Sequence, residues 1–136
     1  MPTLIKVGRL VERRMNRALQ AHGITAAHYL ALIHIGQNPR SSRAALSRGL
    51  LVSPQAAGGV VDRLLSAGLI SRGFAADGRI ELTLTPSGAD LLQDVRPVID
   101  EANLDVVRIL KPGHESFLDS VLRYILAKLG ECRART

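Results

Sequence analysis

One cysteine, no tryptophan, two phenylalanines and two tyrosines in 136 residues narrow the possible functions at once. The single Cys132 excludes an internal disulfide and any multi-cysteine zinc site within one chain. So few aromatics argue against a single-strand or RNA binder, which stacks bases on aromatic platforms. No apolar run approaches the roughly eighteen residues of a membrane-crossing helix. The first residues show no signal-peptide pattern, so the expectation is a cytoplasmic protein with no membrane partner. Gly-x-Ser-x-Gly, a phosphate loop and metal-protease spacing are all missing, so no catalytic residue, no cofactor and no enzyme is expected. Repeats, low-complexity segments and linkers are missing too, which leaves one domain over residues 1–136, long enough to bury a core.

The charge that is present is unevenly placed. The chain carries a formal +6: residues 1–23 hold five Lys/Arg against one acid, residues 24–85 six against three, and residues 86–136 seven against eight. The basic excess therefore sits in the first two-thirds of the chain, as a nucleic-acid footprint requires.

Residues 42–85 organise the rest. Ser42 is placed to N-cap a short helix over Arg43–Leu50, with Gly49 breaking its pattern and Val52 plugging the turn that follows. Ser53-Pro54 opens a second helix, Ser as N-cap and Pro at the first position, where its missing N–H is harmless. That helix runs over Gln55–Ala67 to a stop at Gly68, with Val60, Val61, Leu64 and Leu65 giving it one apolar face. Leu69–Arg72 and Arg79–Thr85 read as strands, and Asp77-Gly78 between them is a hairpin signal. Two short helices and a basic-tipped hairpin make a winged helix-turn-helix, a shape that docks one helix in the major groove and the hairpin beside it. The competing reading is a helical domain that merely carries a hairpin.

Around this lobe the periodicity predicts more helices. A basic amphipathic helix spans about Thr3–Ala21, with Leu4, Val7, Leu10, Val11, Met15, Ala18 and Leu19 apolar. Thr25 caps a helix over Ala26–Gln37, with Tyr29, Leu30, Leu32, Ile33 and Ile35 as a broad apolar face, and Asn38-Pro39-Arg40-Ser41 turns the chain. A long helix starts at Pro86-Ser87-Gly88, where Pro97 must either kink it or split it in two. A last amphipathic helix covers His114–Gly130. Terminal helices this apolar beside so small a core point to an intersubunit bundle and a C2 dimer.

Several motifs in order resemble the MarR family of transcription regulators. Gly23-Ile24-Thr25-Ala26-Ala27-His28-Tyr29-Leu30-Ala31-Leu32 is similar to the family's lead-in to its second helix. Val52-Ser53, Val61-Asp62-Arg63-Leu64 and Gly68-Leu69-Ile70-Ser71-Arg72 resemble its core signature, and Asp77-Gly78-Arg79 with Leu84-Thr85-Pro86-Ser87-Gly88 its wing and exit. The resemblance implies a mainly α fold with a two-stranded wing. It implies dimerisation helices at about 1–22 and 87–130 and a DNA-binding lobe at about 24–85. It further implies a homodimeric repressor or activator, a repressor in the first instance, that binds a pseudo-palindrome in double-stranded DNA and is often released by a small aromatic or phenolic ligand, an oxidant or a metal. An effector pocket is implied between the dimer helices and the lobe, lined by Met15, His22, Tyr29 and Ile33, with Arg14 or Arg17 pairing a carboxylate.

Candidate DNA contacts follow from the lobe. Arg40, Ser42 and Arg43 flank the start of the first helix, where phosphate contact and simple solvation are equal alternatives. Ser53 can donate to a phosphate, with Pro54 beside it, and Gln55 can pair with adenine in two-point fashion. Ala56 or Ala57 can pack on a thymine methyl. Arg63 faces either a phosphate or an internal salt link. Arg79 at the wing tip suits a narrow minor groove, with Asp77 holding it in place. Gly58-Gly59 departs from the family, which places base-reading side chains there. Either the glycines let the helix seat closer to DNA, with Gly58 part of that contact, or they empty the reading surface and leave a ligand- or protein-binding dimer of weak DNA affinity. His22, His28, His34 and His114 lack the three- or four-residue spacing of zinc ligands on one helix, so surface or core roles are expected. Cys132 beside Arg133 and Arg135 is expected to be an exposed, inert thiol, although the basic neighbours favour its thiolate.

Overall fold

The computed structural model describes residues 2–134, and side chains over residues 2–130. The order is α1 (Pro2–Leu19), a 3-10 turn (Gln20–His22), α2 (Ala26–Gln37), α3 (Arg43–Leu50), α4 (Pro54–Ser66), β1 (Ile70–Phe74), β2 (Ile80–Leu84), α5 (Pro86–Arg108) and α6 (His114–Ala134). The mainly helical winged architecture expected from the sequence is the one observed.

The chain forms two compact units, residues 1–100 and 101–136. In the first, local chemistry sets each helix start. The Thr25 hydroxyl accepts from the His28 N–H, while the His28 ring Nδ1 accepts from the Thr25 N–H at 3.1 Å. This is a capping box with imidazole where glutamate usually stands. Asn16 on α1 reinforces it by accepting from the Ala26 N–H at 2.7 Å. Ser42 and Ser53 cap α3 and α4 through the Ala45 and Ala56 N–H groups at 3.0 and 3.1 Å.

The turn between α3 and α4 differs from the expected one. Gly49 does not break α3 but lies within it, and a Cβ there would collide with the imidazole of His34 on α2. The missing side chain leaves room for the His34 ring against α3. The helix stops instead at Leu51, in the left-handed region at φ 57°, which costs a branched residue about 1 kcal/mol. Ser47 closes the turn: its hydroxyl donates to the Val52 carbonyl at 2.8 Å, and its carbonyl accepts from the Val52 N–H at 3.2 Å.

At the end of α4, Gly68 is left-handed at φ 71°, and the Leu69 N–H bonds back to the Leu64 carbonyl at 3.0 Å. This is the Schellman stop the sequence announced. β1 and β2 pair antiparallel from Ile70–Leu84 to Phe74–Ile80, and Ser41 adds a single bridge to Leu82. Thr85 then does two jobs, donating to the Gly68 carbonyl at 2.7 Å and capping α5 through the Gly88 N–H at 3.1 Å. A Cβ at Gly88 would run into the Leu69 carbonyl, so the start of α5 sits directly on the start of β1.

Two apolar clusters hold this unit. Ala31, Leu32, Ile35, Leu46, Val61, Leu64, Ile70 and Leu82 form one; Leu19, Ile24, Val95 and Ile99 form the other, with Met15 and Tyr29 at its edge. α2 is central, as expected, but Leu30 lies half exposed and Ala31 takes its place in the core. α5 runs unbroken through Pro97. The missing N–H deprives only the carbonyl of Gln93, an exposed position that water can reach.

In the second unit, α6 exposes Phe117, Leu122, Leu126 and Leu129, and Arg108 bridges Glu101 and Asp105. No helix among the described residues is long and apolar enough to cross a membrane. The Cys132 side chain, with Arg133 and Arg135, lies outside the described residues.

Candidate nucleic-acid interface

The face that α4 turns to solvent follows from the face it buries. Ala57, Val61 and Leu64 are buried, so at 100° per residue the opposite stripe is Gln55, Gly59, Asp62 and Ser66. All four are exposed, with Ala56 and Arg63 along one margin and half-buried Gly58 along the other. Ala57 therefore has to be corrected: at 1% exposure it is core and cannot meet a thymine methyl. Ala56 is the exposed alanine of the pair. Gln55 and Pro54 stand at the open N-terminal end of α4, and the Ser53 hydroxyl, an acceptor in its cap, keeps its own proton to donate.

An acid on this stripe was not foreseen as part of the surface. Asp62 would repel a phosphate, but Arg43 reaches over from α3 and bonds it at 3.2 Å. The pair joins the two helices and removes the bare negative charge. Arg43 is thus an internal partner first, whereas Ser42 is occupied with its cap and Arg40 stands exposed in a left-handed turn at φ 63°. The helical positions 43 and 62 carried no local signal of this pairing; it is tertiary.

The wing tip is built around Asp77. The Arg79 N–H donates to Asp77 Oδ1 at 3.1 Å and the Arg79 Nε to Oδ2 at 2.6 Å. Gly78 alone turns left-handed (φ 84°), and its N–H bonds to the Ala75 carbonyl at 2.9 Å, so the turn is not the mirror-type two-residue turn that needs two positive φ angles. Arg79 is thereby fixed yet 77% exposed. β1 extends two residues further than the sequence reading, to Phe74, which stands exposed across from Ile80.

Arg63, exposed at the margin of that stripe, also borders a half-open cavity of about 250 Å³ lined by His22, Ile24, His28, Leu64 and Leu91. Burial, and secondarily the charge of Arg63, hold the His28 imidazole below its usual pKa. A more open groove of about 350 Å³ runs between α2 and α5, lined by Tyr29, Ile33, Gln37, Leu92, Gln93 and Arg96. Burial, and then the negative charge of Asp100, push the Tyr29 phenol up, with Arg96 opposing. The expected effector residues are not gathered in one place. Tyr29 and Ile33 share the groove, His22 belongs to the cavity, Met15 packs on the second core cluster, and neither Arg14 nor Arg17 lines the groove or the cavity. Arg96 was missed, because a single arginine on a long helix carries no signal without its neighbours across the groove.

Comparison with known proteins bears on this geometry. A family model described as the MarR family matches residues 22–80. The HTH-type transcriptional repressor Rv2887 of Mycobacterium tuberculosis is 31% identical over 130 residues, covering 93% of this chain and 90% of that protein. A solved structure of that MarR family protein in complex with p-aminosalicylic acid is similar at a TM-score of 0.75 and 27% identity, over 90% of this chain and 95% of that one. A second, in complex with DNA, is similar at 0.73 and 26% identity, over 90% and 93%. The chain belongs to the MarR family of helix-turn-helix transcription regulators.

Proposed function

We propose that the protein binds a pseudo-palindromic site in double-stranded DNA as a homodimer and represses transcription there, with α4 in the major groove and the β1–β2 wing against the neighbouring backbone. The observation that carries this reading is the wing tip, where Asp77 bonds Arg79 and leaves its guanidinium exposed to solvent, together with the exposed stripe of α4. Ser53, Pro54, Gln55 and Gly59 form the major-groove surface with Gly58 at its margin, and Arg40 and the Arg43–Asp62 pair stand towards phosphates. The related repressor Rv2887, solved with DNA, supports it.

Dimerisation is assigned to the terminal helices. α1 leaves Leu4, Ile5, Val7 and Leu10 uncovered, and α6 leaves Phe117, Leu122, Leu126 and Leu129. These apolar stripes need a second surface. The chain is accordingly read as a single functional domain in the cytoplasm, a binding protein rather than an enzyme. A small aromatic acid modulates it from the α2–α5 groove, where the Tyr29 hydroxyl and Arg96 offer donors above Ile33 and Leu92. Rv2887 in complex with p-aminosalicylic acid supports that ligand class.

Arg79→Ala tests the wing. Operator affinity should fall, and the slope of log affinity against log salt should shrink by about one unit. Unchanged affinity across the salt series would remove the wing from the interface.

A further inference from the structure

Gly59 has no reason inside the protomer to be glycine. It lies within α4, its backbone is not left-handed, and a Cβ built there meets nothing within 4 Å. Gly49 and Gly88 differ, because a Cβ at either would meet the His34 ring or the Leu69 carbonyl. In a helix interior glycine is less stable than alanine. What Gly59 supplies in return is space on the outer face, where something can approach the helix backbone.

The surroundings of that space select what fills it. Gln55 and Ala56 lie one turn before it, both exposed, and half-buried Gly58 precedes it. The Gly59 N–H and carbonyl belong to the hydrogen-bond ladder of the helix, so the floor offers neither donor nor acceptor. One turn on, Asp62 is held by Arg43 at 3.2 Å and Arg63 borders the half-open cavity. A phosphate finds no donor on this floor, and the polar edge of guanine, adenine or cytosine would lie against it unpaired. The major groove of duplex DNA carries one apolar group, the C5-methyl of thymine.

We propose that Gly59 is a specificity residue whose missing side chain leaves the seat for a thymine C5-methyl, with the Ala56 methyl as its wall. This rests on the DNA reading above and names a base that α4 selects. Cytosine carries only hydrogen at that carbon and leaves the seat unfilled. Alanine at position 59 puts its own Cβ where the thymine methyl belongs, so the two methyl groups compete for one space. Gln55, one turn away on the same stripe, is free to pair with an adenine beside it.

The competition can be measured. A site is first selected from a random duplex pool with the purified protein, and the thymines of each half-site are then replaced singly by deoxyuridine, which removes only the C5-methyl. Fluorescence anisotropy should find at least one thymine per half-site whose replacement weakens wild-type binding about fourfold, and roughly fifteenfold when both half-sites are changed. Deoxyuridine between the half-sites should change affinity less than about twofold. Gly59→Ala should bind the thymine site about tenfold more weakly than the wild type. On the doubly substituted site it should match the wild type within about twofold, because the new Cβ occupies the place the methyl vacated. Thermal unfolding, which Gly59→Ala should shift upwards, separates a lost contact from a lost fold. The proposal is overturned if every deoxyuridine site binds as the thymine site does, or if Gly59→Ala loses the same factor on both. Either result leaves the DNA reading standing, since the selected site is still bound; a pool that yields no site removes both.

Discussion

Replacing Gly59 by alanine should make the protein more stable and its DNA binding weaker, both through one added methyl group. Gly58 and Gly59 lie inside α4, and a Cβ built at either position meets nothing within 4 Å. Neither glycine is required by packing, so each substitution recovers the helix propensity that glycine forfeits, about 0.8–1 kcal/mol. For a chain of this size that corresponds to a rise in Tm of roughly 3–5 °C, measured at fixed protomer concentration because a dimer's Tm depends on it. The two positions differ in direction. Gly59 sits in the middle of the stripe opposite the core, between Gln55 and Asp62, whereas Gly58 lies at its half-buried margin. If the bare backbone seats flush against DNA, Gly59→Ala holds the helix away and weakens the complex about tenfold, or about 1.4 kcal/mol. Gly58→Ala should stabilise equally and change affinity less than threefold. Thermal unfolding and fluorescence anisotropy on the same preparations read both effects. Unchanged affinity in Gly59→Ala would refute flush seating, and a fall in Tm for either variant would refute the open helix surface.

The Arg43–Asp62 pair is exposed on both sides, so breaking it should change stability by less than about 1 kcal/mol. Arg43→Ala should nevertheless weaken DNA binding about tenfold by leaving Asp62 bare, and adding Asp62→Asn should restore most of the loss; an additive double variant would dissociate the pair from DNA binding. His28 gives a pH prediction. Its folded pKa lies below the unfolded 6.5, because of burial first and Arg63 second, and its Nδ1 must stay unprotonated to accept from the Thr25 N–H. The unfolded chain therefore takes up the proton first. The contribution to stability is complete above about pH 6.5 and is lost as pH falls through that value towards the folded pKa. Urea midpoints at about pH 7.5 and pH 5.5 should drop more in the wild type than in His28→Asn; equal drops would assign the loss to other groups.

The parts of this molecule that could be read from its sequence are those with local causes. Thr25, Ser42 and Ser53 each cap a helix by bonding an N–H three residues on, and Gly68 stops α4 by its own backbone freedom. Asp77-Gly78-Arg79 was legible for the same reason, since all of its bonds lie within five residues. What was misread or missed is tertiary. Gly49 looks like a breaker until the His34 ring is placed against it. Ala56 and Ala57 are the same letter, and only the register of Val61 and Leu64 sends one inwards and the other out. Arg43 meets Asp62 across nineteen residues, and Arg96 faces Tyr29 across the α2–α5 groove. The effector residues scattered because apolar positions that look alike in sequence divide among a core, a groove and a cavity once the helices pack.

The central claim is that this chain reads a specific duplex site, and one titration tests it most directly. The purified dimer is titrated against a fragment from upstream of its own gene and against an unrelated fragment of equal length, across a salt series. A preference of about a thousandfold or more, with affinity falling steeply as salt rises, is the expected result. Equal, weak binding to both fragments at every salt concentration would contradict the account and mean that the glycine pair leaves α4 with nothing to read.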